Sequence, residues 1–421
     1  MSAWNRCSRV LRLSLGNALE WYDFCLYGYF ASTIAVVFFE RSDPTTGLIY
    51  AFGTFAIGSL ARPLGGIVFG YLGDRIGRYF AMNLAIALMG ISSILAAFLP
   101  GYQTIGVMAP LLLVVLRILQ GISAGGQFGN LIVITAEDRA LTRTGFYMGI
   151  TFAVSILGFL LASVVSYLTL SLSPESWKGF IWRLPFLLGG VLLLLQRWSI
   201  RSLQQEAEPP AKSQKTPLKE LLSQYKSSLA LVVLLSFSCG SIYYLVFTYL
   251  VNYMVQYSGV TLVEALELNS WSLLGACILI PLFGWASDLW GRRKVLVLGV
   301  LFGMLVLSPA MQLLHDATPG SLLLALSLFC LMISWIQGAV PPFFGELFPP
   351  EIRASGCCSA FGIGSALSGI SPFLAAEFAS RGTMSIESLF WLMLVCALAT
   401  AFCLPGRRYA THQGAALAAE H

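Results

Sequence analysis

The chain alternates between long apolar runs and short polar connections. Runs of roughly the 20 residues that a membrane-crossing helix needs lie near 16–39, 48–72, 79–99, 106–135, 145–170, 180–198, 228–255, 265–287, 294–314, 321–345, 355–378 and 386–405. They lack the alternation of apolar and polar positions that barrel strands require. Because lipid offers no partner for backbone N–H and C=O groups, each run is predicted to be a helix. We number these twelve predicted helices span 1 to span 12.

Span 1 carries polar residues that lipid would not tolerate. Asn17, Glu20 and Asp23 are three residues apart, which places them on one face of a helix. Ionisable groups inside a membrane are costly and by default mark a pathway for substrate or ions. The same acids interrupt the apolar run too early for a cleavable signal peptide, so span 1 is expected to remain in the protein.

Composition indicates an integral membrane protein of the all-α class. Of the 421 residues, 57% are hydrophobic and 11% are charged, and the mean hydropathy is +0.78, which is outside the range of soluble domains. If both termini are cytoplasmic, only four of the 25 Lys and Arg residues lie in outer connections: Arg41, Lys178, Arg183 and Arg381. The positive-inside rule therefore predicts that orientation. The net charge of +5 is then an orientation signal, and no nucleic-acid partner is expected.

Nothing in the sequence points to a metal, a cofactor or an enzyme active site. The nine Cys and three His residues have no metal-ligand spacing, and the cysteines are interpreted as small packing residues. There is no nucleophile with a nearby His and no phosphate-binding loop. We therefore predict no metal site, no cofactor and no enzymatic activity.

A polar, proline-bearing stretch from Gln204 to Lys215 cannot bury itself and separates the spans into six and six. The predicted organisation is a six-helix bundle over 1–198, a cytoplasmic linker over 199–227, a second six-helix bundle over 228–405 and a cytoplasmic tail over 406–421.

The two halves share motifs after corresponding spans, which indicates an internal repeat. After spans 2 and 8, Gly70, Asp74, Gly77 and Arg78 recur with the same spacing as Gly284, Asp288, Gly291 and Arg292. After spans 4 and 10, Glu137, Arg143 and Gly145 resemble Glu346, Arg353 and Gly356. Two parallel six-helix repeats around a central site describe a common transporter architecture.

With these motifs the chain resembles the major facilitator superfamily over nearly its whole length. Four segments narrow the resemblance to the metabolite:proton symporter family: Gly16 to Phe24, Ala61 to Gly66, Arg117 to Gly121, and Glu346 to Arg353. That family includes permeases for betaine and proline, α-ketoglutarate, citrate and shikimate. The resemblance implies that spans 1, 4, 7 and 10 line a central site and that one half rocks against the other.

The chain departs from this family at Gln127. Relatives usually carry Gly-Gly-Glu in span 4, whereas this sequence reads Gly125-Gly126-Gln127. An amide can form hydrogen bonds but cannot carry a proton. Any coupling role of the family glutamate is therefore either absent or transferred to Glu20 and Asp23.

Glu20 and Asp23 are the predicted proton-coupling residues. A carboxylate that alternates between a neutral form and a form paired with Arg117 can carry a proton and release Arg117 to an anionic substrate. The alternative is a permanent ion pair that joins span 1 to span 4. The candidate substrate-binding residues are Asn17, Tyr27, Arg117, Gln120, Gln127, Tyr243, Tyr244, Phe247, Asn269 and Gln337.

These candidates have ordinary alternatives. Arg117 offers the planar fork that suits carboxylates, with Gln120 and Gln127 near its face, or it only neutralises an acid. The aromatic residues of span 7 could hold a quaternary ammonium group or simply pack. Asn269 and Gln337 could lie at the cavity or form interhelical hydrogen bonds.

The repeated loops are predicted to act as cytoplasmic latches rather than to bind substrate. The candidate gating residues are Arg62, Asp74, Arg75, Arg78, Glu137, Arg143, Asp288, Arg292, Glu346 and Arg353. The alternative for the loop residues is ordinary charge that follows the orientation rule, and Arg62 could equally lie deeper in the bundle.

The sequence thus predicts a monomeric, multi-pass protein of the bacterial inner membrane, with the lipid bilayer, protons and a small molecule as its partners. The predicted function is proton-coupled import of a small organic acid or zwitterion, including a citrate-type siderophore. Three alternatives remain: an exporter of the same fold, an uncoupled facilitator and a receptor that does not transport.

Overall fold

The computed structural model describes residues 3–39, 44–137, 143–172, 174, 177–205, 217–349, 352–381 and 386–404. Within these residues, all regular elements are helices. The chain from 405 onward, residues 206–216 of the linker and residues 40–43 around Arg41 lie outside the described residues.

The predicted spans correspond to helices that follow one another in chain order. Spans 1 to 6 are Ala3–Tyr29 with Ala31–Phe38, Pro44–Leu60 with Arg62–Arg75, Arg78–Phe98, Met108–Glu137, Thr144–Leu172 and Arg183–Gln205. Spans 7 to 12 are Lys226–Tyr244 with Leu245–Tyr249 and Leu250–Tyr257, then Leu262–Trp290, Arg292–Asp316, Pro319–Ala339 with Pro341–Glu346, Arg353–Ser368 with Ser371–Arg381, and Ile386–Cys403. Short helices at Tyr102–Ile105, Lys178–Ile181 and Pro217–Gln224 lie between them.

Several helices extend beyond the apolar runs that predicted them. Span 1 begins at Ala3, well before Gly16, and span 2 continues to Arg75. Backbone hydrogen bonding does not stop where the side chains become polar, so a hydropathy pattern locates a helix better than it locates its ends.

Irregular positions in the spans have local causes. Span 2 breaks before Pro63, and span 10 breaks before Pro341, because proline supplies no N–H and clashes with the preceding turn. Span 7 contains a π-helical segment at Leu245–Tyr249, and such segments often occur at functional sites.

Ten helices in the described part of the chain are long and apolar enough to cross a membrane. Large apolar side chains such as Leu305 and Val36 are 75% and 78% exposed, as expected on a surface that faces lipid rather than water. Spans 1 and 6 are not among the ten, and in span 1 this fits the charged and amide side chains along the helix.

The first and last six spans meet along two pairs of helices. Span 5 packs along span 8, and the first half of span 11 packs along span 2. Gly145 approaches the backbone of Gly284 in the first contact, and Gly66 approaches the backbone of Cys358 in the second. The corresponding positions of these contacts in the two halves fit the repeat expected from the motifs.

Spans 2 and 4 pack with their backbones in contact. A Cβ atom added at Gly125 would overlap the carbonyl oxygen of Arg62, and one added at Gly65 would overlap that of Ile122. Small residues permit this approach of membrane helices. The contact holds Arg62 and Arg117 on neighbouring backbones at the centre of the first six spans.

Candidate functional site

An acid and an arginine form a buried pair between spans 1 and 4. Asp23 Oδ2 lies 4.0 Å from Arg117 Nη1 and accepts a hydrogen bond of 2.7 Å from Gln120 Nε2. The Gln120 amide also donates to Ser93 Oγ at 3.0 Å. Asp23 is 0% exposed and Arg117 is 1% exposed. These contacts come from spans 1, 3 and 4, so the pair lies inside the first six spans.

Aromatic rings cover the Arg117 guanidinium. Its central carbon lies 4.0 Å from the ring centroid of Tyr27 and 5.7 Å from that of Phe186. Water is thereby excluded, which strengthens the attraction between Arg117 and Asp23. Of the predicted substrate-binding residues, Tyr27, Arg117 and Gln120 thus belong to this pair.

A second buried acid, Glu20, lies one turn from Asp23 on span 1, and a second buried arginine, Arg62, lies on span 2. Glu20 and Arg62 are each 1% exposed, and Arg62 stacks on Trp21, the residue that follows Glu20. The Arg62 guanidinium carbon lies 4.3 Å from the Phe24 ring centroid, 5.1 Å from Trp21 and 5.9 Å from Tyr244. Arg62 therefore lies against central aromatic rings, away from the other candidate gating residues.

Beside Arg62, rings from both halves surround an internal cavity of about 40 Å³. We call these rings the aromatic chamber; its members are Trp21, Phe152, Phe159, Tyr243, Tyr244, Phe344 and Phe361. Tyr243 is their centre, with ring centroids 4.6 Å from Phe159, 6.2 Å from Phe152 and 6.3 Å from Tyr244. Ser155, Ser236, Cys239, Gly240, Gln337, Val340, Ser365 and Ser368 complete the lining.

The lining differs from the set of spans that the resemblance implies. Spans 1, 7 and 10 contribute, but so do spans 5 and 11, while in the described residues span 4 supplies none of the lining. Span 4 lies behind span 1, where Arg117 and Gln120 contact Asp23. Phe152, Ser155 and Phe159 of span 5 line the cavity but were not predicted as site residues, although their spacing places them on one face of the helix.

Two predicted amides lie next to the chamber. Asn17 Nδ2 donates to Ser155 Oγ, which joins span 1 to span 5. Gln127 is fully buried and forms no hydrogen bond to the described residues. A Cβ atom added at Gly16 would lie 3.0 Å from Gln127 Nε2, so Gln127 faces span 1 one turn from Glu20.

Asn269 and Phe247 do not line the cavity. Asn269 Nδ2 donates to Tyr29 Oη at 3.0 Å, and Tyr29 Oη donates to the Phe247 carbonyl at 3.2 Å. Asn252 Nδ2 donates to the Gly28 carbonyl at 3.3 Å. Asn269 therefore forms an interhelical hydrogen bond, which was the alternative to a place at the cavity. Together, the hydrogen bonds of Tyr29, Asn252 and Asn269 join the two halves at one end of their contact.

At the opposite end, each repeated aspartate binds the start of a helix in the other half. Asp288 accepts hydrogen bonds from the backbone N–H groups of Gly145 at 2.9 Å and Phe146 at 3.0 Å. Asp74 accepts from the N–H of Ser355 at 3.0 Å and from its hydroxyl at 2.5 Å. A carboxylate at a helix N-terminus satisfies free N–H groups and complements the helix dipole.

Arginines complete these two contacts. Arg292 lies 3.7 Å from Asp288, donates to Thr144 Oγ1 at 2.5 Å and pairs with Glu346. Arg78 lies 3.9 Å from Asp74. The remaining gating candidates are placed as follows: Arg353 is buried and donates to the Phe348 carbonyl at 3.1 Å, Arg75 and Arg143 are exposed, and the Glu137 side chain lies outside the described residues.

Both ends of the central region are therefore closed by contacts between the halves. One end has hydrogen bonds from Tyr29, Asn252 and Asn269, and the other has the two aspartate contacts. The cavity lies between these two groups of contacts.

The comparisons with known proteins agree with this architecture. A family model for the major facilitator superfamily matches residues 13–270, and one for the sugar (and other) transporter family matches 198–408. The shikimate transporter of Escherichia coli (strain K12) is 32% identical over 390 residues, which cover 88% of each chain. The proline/betaine transporter of the same strain is 30% identical over 410 residues, which cover 92% of this chain and 81% of the relative.

A further relative and a solved structure extend the likeness. The α-ketoglutarate permease of Escherichia coli (strain K12) is 31% identical over 402 residues, covering 92% of this chain and 90% of the permease. The xylose transporter XylE from E. coli, in a partially occluded inward-open conformation, superposes with a TM-score of 0.72 at 18% identity, covering 95% of this chain and 98% of XylE. These matches confirm the resemblance and the fold: the chain is a multi-pass transporter of the inner membrane and belongs to the major facilitator superfamily.

Proposed function

We propose that the protein imports a small organic acid or zwitterionic metabolite together with protons. The observation that carries the proposal is two sets of one buried acid and one buried arginine: Asp23 and Arg117, 4.0 Å apart, and Glu20 and Arg62, each 1% exposed. One set lies inside the first six spans, and the other contacts rings that line the central cavity.

The energetics of buried charge favour a role in coupling. Removing one partner of a buried ion pair leaves the other charge uncompensated, at a cost of about 3–5 kcal/mol. When a substrate carboxylate binds an arginine, the displaced acid avoids that cost by taking a proton. Substrate binding and proton binding thereby favour each other, and such coupling is reciprocal.

The functions of the relatives support this proposal. They include a citrate-proton symporter of Klebsiella pneumoniae at 28% identity, besides the shikimate, α-ketoglutarate and proline/betaine proteins. In each of these cargoes a carboxylate is present, and arginine is the side chain best suited to bind one.

Two six-helix bundles, 1–198 and 228–405, are proposed to rock around this site with both termini in the cytoplasm. Each end is closed by a small number of hydrogen bonds between the halves, so either end can open while the other stays closed. Ligands shift such an equilibrium only through different affinities for its states. We propose that protonated, substrate-loaded protein favours the occluded state.

Proteoliposomes that contain a pH-sensitive dye test the proposed function. Pools of amino acids, betaines, and mono-, di- and tricarboxylates are added outside while the internal pH is recorded. We expect one pool to acidify the lumen faster than it acidifies protein-free liposomes, because protons enter with the substrate, and we expect Asp23→Asn and Glu20→Gln to abolish this difference.

The matched control is Glu267→Gln, since Glu267 is an exposed acid on span 8 outside both acid–arginine sets. It should acidify the lumen like the unmodified protein. Substrate equilibration without any pH change would contradict proton coupling and would favour a facilitator in which Gln127 marks the lost proton site.

A further inference from the structure

We propose that the cargo is a monocarboxylate with an aromatic or aliphatic body, whose carboxylate binds Arg62 and whose body occupies the aromatic chamber. The inference rests on the proposed transport function and adds the chemical class of the substrate. Three features of the site carry it: the ring lining, the single cation beside that lining, and the side on which Arg117 lies.

The lining of the chamber suits an apolar body. Seven aromatic side chains surround the cavity, with Val340 and Cys239 between them. The polar side chains of the lining are four serines, Gln337 and the hydroxyl groups of two tyrosines, and Ser155 already accepts a hydrogen bond from Asn17. These groups can pair with one or two polar atoms of a cargo, but the rings leave most of its body to apolar contact, so an apolar body gains most from burial.

Arg62 is the cation that lies against rings of the chamber. Among the described arginines and lysines, Arg62 is the one that stacks on rings of the lining. Its guanidinium carbon lies 5.1 Å from the ring centroid of Trp21 and 5.9 Å from that of Tyr244. Its Nε and Nη2 atoms are buried and make no hydrogen bond to the described residues. Two unused N–H donors of one guanidinium fit the geometry of a carboxylate.

Arg117 is directed away from the chamber. It is paired with Asp23 and stacked on Tyr27 and Phe186, and neither ring belongs to the cavity lining. Among the described residues, one positive charge, that of Arg62, therefore lies against the chamber rings. A second carboxylate on the cargo would be buried without a partner, which is strongly unfavourable, so di- and tricarboxylates are disfavoured.

Quaternary ammonium cargo is disfavoured for a related reason. Ring faces attract cations, but the faces of Trp21 and Tyr244 are already near the Arg62 guanidinium. A second cation on these rings would meet a like charge at short range in a poorly screened interior.

The size of the cavity indicates when the cargo enters. About 40 Å³ accommodates a few waters at most, so a ring-sized body needs a wider chamber. Phe152 and Phe159 come from the first six spans, whereas Tyr243, Phe344 and Phe361 come from the last six. Separation of the halves therefore widens the chamber, and closure packs the rings against the cargo.

Equilibrium dialysis of radiolabelled benzoate against the purified full-length protein in detergent tests the inference. Binding is measured at neutral pH rather than flux, because protonated benzoate crosses bilayers unaided. We expect saturable benzoate binding that cyclohexanecarboxylate displaces and that equal concentrations of glycine betaine, citrate and α-ketoglutarate do not displace.

Two substitutions assign the contacts. Arg62→Gln and Phe159→Ala should each weaken benzoate binding at least tenfold, through loss of the charge and of a lining ring respectively. The matched control is Arg12→Gln, an exposed arginine on span 1, which should bind like the unmodified protein. If Arg62→Gln fails to fold, Phe159→Ala decides, and unchanged affinity in that variant contradicts the chamber as the site.

The outcomes separate this inference from the proposed function. If benzoate does not bind while betaine or citrate acidifies proteoliposomes, the substrate class is wrong and proton-coupled transport stands. If benzoate binds as described while no pool acidifies the lumen, the substrate class stands and the proton coupling fails.

Discussion

Gly125→Ala is expected to cause a large loss of stability, although it adds a single methyl group. The new Cβ atom would overlap the Arg62 carbonyl oxygen and lie 2.8 Å from the Gly66 nitrogen. A backbone carbonyl cannot move aside as a flexible side chain can, so spans 2 and 4 must separate. We expect a cost of about 3 kcal/mol, at the upper end of the range for overpacking.

The measurement is the melting temperature of the purified protein in detergent, together with its elution profile. Gly320→Ala is the control, because a Cβ atom there meets nothing within 4 Å. Equal melting temperatures for the two variants would show that spans 2 and 4 do not pack backbone to backbone. Because Arg62 lies at this contact, Gly125→Ala should also reduce transport.

Arg117→Met is expected to destabilise the protein, and a second substitution should restore its stability but not its function. The single variant leaves Asp23 buried with Gln120 as its remaining close partner, at a cost of about 3–5 kcal/mol for a broken buried pair. In the double variant Asp23→Asn/Arg117→Met no charge is left unpaired. Its melting temperature should return close to that of the unmodified protein.

This pair of variants separates a coupling role from a purely structural ion pair. The coupling role predicts that the double variant is stable and still fails to accumulate substrate against a gradient. If the double variant regains both stability and substrate-driven proton uptake, the pair only joins span 1 to span 4. Gln312→Met, an exposed amide on span 9, controls for the added methionine.

The fold follows from the sequence because the membrane leaves few alternatives. Apolar runs of helical length, with backbone groups that must be paired internally, locate the spans. The repeated Asp74 and Asp288 motifs locate corresponding helix ends, at Arg75 and Trp290. Helix ends and breaks could be predicted less well from the sequence, since the start at Ala3 and the π segment in span 7 depend on packing rather than on hydropathy.

Only part of the candidate site could be predicted from the sequence. Arg117 was expected to meet Glu20 or Asp23, because each charge needs an opposite charge inside a membrane. The direction of Arg62 could not be predicted, because Arg62 lies at the break between two half-helices, whose relative orientation depends on packing. Phe152 and Phe159 were passed over, since aromatic residues in membrane helices more often pack than bind.

The most direct test of the account compares exchange with accumulation in Asp23→Asn proteoliposomes. Exchange of labelled for unlabelled substrate needs only the loaded carrier, whereas uphill accumulation driven by an inward proton gradient also needs the proton site. If Asp23 carries the coupled proton, Asp23→Asn retains exchange and loses gradient-driven accumulation, while Glu267→Gln retains both. Gradient-driven accumulation that persists in Asp23→Asn at the unmodified rate would contradict a coupling role for the Asp23–Arg117 pair.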